Sequence, residues 1–138
     1  MSFAGVSWIA VVIAAVLAFI WGAAFYGVLS KPWMKAARIT PTPGANGMMP
    51  GPALLVNSIV CELIMATVLA IFIGIVGAGA ATIGTGLTVG FYAWLGFMAT
   101  TMAVNHRYEG YGWDLTVIDG AHWLGVALIM GAVIGWWS

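Results

Sequence analysis

The chain has 138 residues with four acids, four bases and no net charge; 63% of it is hydrophobic and only 6% charged. An ordinary globular domain is about 25% charged, so this chain has too few charges to cover a surface that faces water. A soluble enzyme, a disordered tail and a nucleic-acid binder are excluded, the last because it needs a basic stripe. The single cysteine, Cys61, excludes an internal disulfide and a cysteine-rich metal site. What fits is an integral membrane protein of one domain.

Residues 3–29 form a run of 27 without a charge. About 20 apolar residues cross roughly 30 Å of hydrocarbon, so this run is expected to span with tilt or overhang. It does not resemble a secretory signal, because no base precedes it and its apolar core is too long. Residues 30–52 hold all the prolines, Pro32, Pro41, Pro43, Pro50 and Pro52, and are expected to be a connecting loop rather than one continuous helix. Its start, residues 32–38, either forms one or two interfacial turns with Pro32 at the first helical position or is an irregular basic loop.

Residues 53–104 are 52 residues with one charge, Glu62. As one helix they would be about 78 Å long, so they must turn back. The small-residue stretch 77–82 is the natural hairpin, which places spans at about 53–77 and 83–104. A fourth span is expected at about 115–137 with Asp114 as its N-cap. The resulting fold class is all-α, an integral membrane four-helix bundle.

Lys31, Lys35 and Arg38 lie between spans one and two, and Arg107 between spans three and four; the termini and the 77–82 hairpin carry no base. The positive-inside rule then puts both basic loops in the cytoplasm and both termini on the extracytoplasmic side. Trp8, Trp136 and Trp137 are read as an outer aromatic belt, and Trp33, Trp113 and Trp123 as an inner one. Trp94 lies mid-span and is assigned to packing. Small residues recur at four-residue spacing: Ala18 with Gly22, Ala23 with Gly27, Gly86 with Gly90, Gly131 with Gly135. Such pairs let backbones approach closely. Gly131 and Gly135 look like the best oligomer face, and four short spans enclose little volume, so a homo-oligomer or attachment to a larger complex is expected.

Glu62 lies nine residues inside its expected span, about 13 Å deep by helix rise. An ionised carboxylate there costs about 2.5–3.5 kcal/mol on insertion scales. Ser58, Cys61, Glu62 and Met65 follow helical one-face spacing, with Asn57 beside them. Thr101, Asn105 and His106 end the third span, and Asp119 and His122 begin the fourth on one face. An intramembrane polar cluster of Asn57, Ser58, Glu62, Thr101, Asn105, His106, Asp119 and His122 is therefore expected. It is open to four readings. One is proton or ion handling centred on Glu62, with Asp119 or His122 as relay. A second is a metal site drawing on Glu62, Asp119 and His122. A third is a tetrapyrrole site using His122 or His106. The fourth is structural, a set of interhelical hydrogen bonds that fixes register. No cofactor is required by the sequence, and no nucleophile triad or phosphate loop is present.

As a whole the chain resembles the small four-span bacterial membrane proteins grouped as domain of unknown function 1761. The resemblance rests on Trp21-Gly22-Ala23-Ala24-Phe25-Tyr26-Gly27 running into Lys31-Pro32-Trp33-Met34, and on Trp94-Leu95-Gly96-Phe97 with Asn105. It continues through Val117-Ile118-Asp119-Gly120-Ala121-His122-Trp123 and Met130-Gly131-Ala132-Val133-Ile134-Gly135-Trp136. It implies four helices in a bacterial inner membrane and brings no reaction. A likeness in size and span count to the small four-helix membrane enzymes of eicosanoid and glutathione metabolism stops at architecture, because only Arg38 and Arg107 are present to match their arginine-rich site. The reading from sequence is a multi-pass membrane protein without a catalytic motif, working as a homo-oligomer or accessory subunit. The alternatives are a small transporter centred on Glu62 and a metal or tetrapyrrole carrier.

Overall fold

A computed structural model describes residues 6–40 and 51–138. Pro41, Pro43, Pro50 and the start of the first expected span lie outside the described residues. Those described are helical with no strand, and four helices are long and apolar enough to cross a membrane.

Helix α1 (Trp8–Val28) starts where the Ser7 hydroxyl accepts the Ala10 N–H at 3.4 Å. Its 21 residues span about 32 Å, the thickness of bilayer hydrocarbon. Helix α2 (Ser30–Ala36) is short and begins two residues before Pro32. Pro32 still falls within the first turn, where helical N–H groups have no intrahelical partner to lose. So the basic segment is helical, and Arg38 ends it in the left-handed region at φ 57°.

Helix α3 (Pro52–Gly77) turns back through Ala78 and Gly79, both at positive φ, 48° and 83°. Thr82 then opens α4 (Ile83–Ala93) with a reciprocal capping box to Thr85. The third span runs on through a π-helical turn (Trp94–Ala99) into α5 (Thr100–Tyr108). Twelve residues separate Trp94 from His106, which in a regular helix would leave them about 120° apart. A π turn absorbs one residue, which closes that angle to about 20°, and both residues reach α6 (Trp113–Trp137). Gly112, not Asp114, caps α6; Asp114 lies in its first turn, where its carboxylate accepts the Leu115 N–H at 3.0 Å and suits the positive end of the helix.

The Arg38 guanidinium donates to the Gly110 carbonyl at 2.6 Å. The two basic segments therefore meet at one end of the bundle, here the loop end. The C-terminus packs at the other, the hairpin end, where Gly135 lies against the backbone of Thr82. The two ends are built differently. Toward the hairpin, Gly86 and Gly131 touch backbone to backbone, Gly90 seats against Ala127, and Ala14, Ala18, Ala66, Ile73, Val126 and Met130 form a closed apolar core. Gly131 and Gly135 are thus used inside the subunit, and the oligomer face expected there is not available. Toward the loop end, α3 stands away: Leu54, Val56, Ile59 and Val60 are exposed, and α5 buries no residue.

Gly131→Val pushes a side chain into the Gly86 carbonyl and is expected to lower stability by about 1–3 kcal/mol or to prevent folding. Gly27→Ala, with nothing within 4 Å of the added carbon, is expected to be neutral or slightly stabilising. Thermal unfolding in detergent measures both.

Candidate functional site

Asp119 lies six residues into α6, on the face that meets α1, α2 and α5. Its Oδ1 accepts the Tyr26 hydroxyl at 2.7 Å and the Trp33 indole N–H at 2.9 Å. Its Oδ2 is 3.9 Å from His106 Nε2. The other ring nitrogen of His106 is 3.0 Å from the Thr116 hydroxyl, which accepts from the Arg107 guanidinium at 2.8 Å. The arrangement that satisfies all three has Thr116 donating to Nδ1, so that a neutral His106 carries its proton on Nε2, toward Asp119. One carboxylate thus gathers groups from α1, α2 and α5 onto α6.

His122 follows one turn deeper and is 5% exposed. Its ring packs on Tyr26 and Trp123, each with centroids 4.7 Å away, and on Phe25 at 5.6 Å. Gly22 makes the room: a Cβ there would sit 3.0 Å from His122 Nε2. Beside it the Trp21 indole donates to the His122 carbonyl at 3.0 Å, over Gly125, which leaves space for the ring. The Trp94 indole donates to the Gly120 carbonyl at 2.8 Å. A carbonyl has two lone pairs, so a helical one accepts an indole without losing its own helix bond.

The structure brings His106 to Asp119, and His122 follows one turn along the same helix. Glu62 is 5% exposed, on the inward stripe of α3 that continues through Ala66, Leu69, Ala70 and Ile73. The rest of the expected cluster does not converge. Asn57 and Ser58 are exposed because the first turns of α3 pack little against the other described residues, and the Ser58 hydroxyl turns back to the Leu54 carbonyl at 2.9 Å. Thr101 and Asn105 are exposed because they lie about 140° and 100° around the helix from His106. Cys61 is also exposed, so Ser58, Cys61 and Glu62 do not share one environment. Among the described residues no three His, Cys, Asp or Glu side chains gather as a metal-ion set, so Glu62, Asp119 and His122 do not form one.

Sequence reading missed Tyr26, Trp33, Trp21 and Thr116 as members of the site. The Trp33 N–H turns inward to Asp119, and Trp123 packs against the core. The available signal was chemical: an indole or phenol within a span needs an acceptor, and Asp119 is an obvious one.

Chemically the site can lock helices: the Asp119 carboxylate holds donors of α1 and α2 and faces His106 of α5. Asp119→Ala leaves the Tyr26 hydroxyl and the Trp33 N–H without their acceptor. The expected cost is about 1–3 kcal/mol, seen in thermal unfolding, with a change in tryptophan emission as Trp33 is released. Thr101→Ala, on the exposed face, is expected to leave the fold of the single subunit within about 0.5 kcal/mol.

No curated protein and no solved structure matches the chain. The family model described as protein of unknown function DUF1761 matches residues 9–135, which takes in nearly all of the four long helices and the entire Asp119 cluster. The chain belongs to the DUF1761 family.

Proposed function

We propose that this protein is a non-catalytic, multi-pass protein of the bacterial inner membrane that works as a homo-oligomer, with both termini on the extracytoplasmic side. The observation that carries the oligomer is the outward placement of Asn57 and Thr101 in the open half of the bundle. By helix rise they lie about 8 and 10 Å inside their spans. A polar side chain at that depth has no partner in hydrocarbon, and a second helix supplies one. Gly96, with nothing within 4 Å of an added carbon, leaves room for close approach in the same half.

A second copy is favoured over a foreign chain because known oligomers are mostly homo-oligomers closed by symmetry, each copy offering the same patch. The orientation is supported by the four bases, which all sit at the loop end. The inner-membrane placement is supported by the family resemblance and by the four helices able to span.

Extraction from native membranes in mild detergent, followed by mass measurement, tests the reading. The expected particle is a multiple of 14.5 kDa; a monomer contradicts it, and a particle containing other chains replaces it with an accessory-subunit role. Interhelical hydrogen bonds average about 0.6 kcal/mol, so Asn57→Leu is expected to weaken association about threefold per bond lost.

A further inference from the structure

The closed apolar core of the hairpin half ends at one level on three helices. On α1 the last fully buried residue is Ala18, and Gly22 follows one turn on; on α3 it is Ala66, with Glu62 one turn before; on α6 it is Val126, with His122 one turn before. Glu62 and His122 are the two buried polar side chains of the bundle among the described residues, and both sit on that floor. Among the described residues Glu62 Oε2 and His122 Nδ1 have no hydrogen-bond partner. Buried polar atoms in proteins are nearly all paired, so two orphans at one level of one bundle mark a place where something binds. No basic side chain other than the imidazole comes near the carboxylate by chain position: Lys31, Lys35, Arg38 and Arg107 are all at the loop end.

The floor is connected outward. The His122 ring packs on Tyr26 at a 45° tilt with centroids 4.7 Å apart; the Tyr26 hydroxyl donates to Asp119, and Asp119 faces His106, which meets Thr116, itself bonded by Arg107 at the loop-end turn. His106 and Asp119 keep side-chain exposures of 13% and 17%, so this end reaches the surface. Toward the hairpin, the core above Glu62 and His122 contains only apolar side chains. Of the titratable and charged groups on the packed elements, Lys31 and Lys35 of α2, Cys61 of α3, Tyr92 of α4, Tyr108 of α5 and Asp114 of α6 are exposed, which leaves Tyr26 of α1, His106 and Arg107 of α5, and Asp119 and His122 of α6.

We propose that Glu62 and His122 form an intramembrane proton-binding site served from the loop end through His106, Asp119 and Tyr26. The proton moves between acids and bases and no other bond changes. The relay does not depend on oligomerisation, so it stands or falls apart from the reading above.

Infrared difference spectroscopy of the protein in lipid nanodiscs, across a pH change, tests it. The parent is expected to show the carbonyl band of a protonated carboxylic acid that Glu62→Gln lacks. If that variant does not fold, Glu62→Asp must displace the band. In Tyr26→Phe the band is expected to reach the same end-point after a rapid pH jump, but at least tenfold more slowly. A band that is absent from the parent, or unchanged by substitution of Glu62, overturns the site. An unaltered rate in Tyr26→Phe overturns the relay.

Discussion

In hydrocarbon two helices gain little by hiding apolar surface, because lipid tails are as apolar as leucine; what holds them is how closely their backbones approach. In this chain that approach is made by α4 against α6. Gly86, Gly90, Gly131 and Gly135 each lie where a Cβ would strike backbone of the facing segment. The seam fixes α6 against α4, and α6 is the helix on which every other part of the bundle is assembled. Its next face takes α1 through Ala18, Val126 and Met130. The position of Asp119 and His122 is a consequence of that seam, since they are the continuation of the same helix toward the loop end.

Below the seam the packing principle changes. Glycines give way to indoles and one carboxylate: Trp21, Trp33 and Trp94 each donate to a group on α6 between residues 119 and 122. The same half has the exposed first turns of α3 and the unburied α5. In low dielectric each such hydrogen bond is stronger than in water, and its loss correspondingly costly. The bundle therefore has a half held by contact and a half held by directed bonds. Polar groups that do not belong to those bonds, Asn57 and Thr101 among them, are left facing outward.

Most of the architecture was legible in the sequence because the bilayer imposes length and composition on each span. The long spans, the 77–82 turn and the common end of the basic segments all followed from runs of uncharged residues and the placement of four bases. Helix rotation was not legible. Depth alone groups Asp119, His106 and His122 with Asn57, Ser58, Thr101 and Asn105, yet the last four face away. The π turn at Trp94–Ala99 explains part of this, since one absorbed residue turns everything after it by about 100° and leaves no mark in the composition. The donors were missed for another reason. Trp33 reads as an ordinary interfacial aromatic, and Tyr26 has no assigned role, until the acceptor opposite them is known.

The account rests on the chain crossing a bilayer with its two turns on opposite sides. In a Cys61→Ser background, single cysteines at Gly79 and at Gly110 occupy the hairpin and the loop-end turn, both at positive φ and both open to solvent. A membrane-impermeant maleimide added to sealed vesicles of uniform orientation is predicted to label one of the two positions and to reach the other only after the membrane is opened. Equal labelling of both from the same side of an intact membrane would contradict the four crossings and, with them, the intramembrane placement of Glu62, Asp119 and His122.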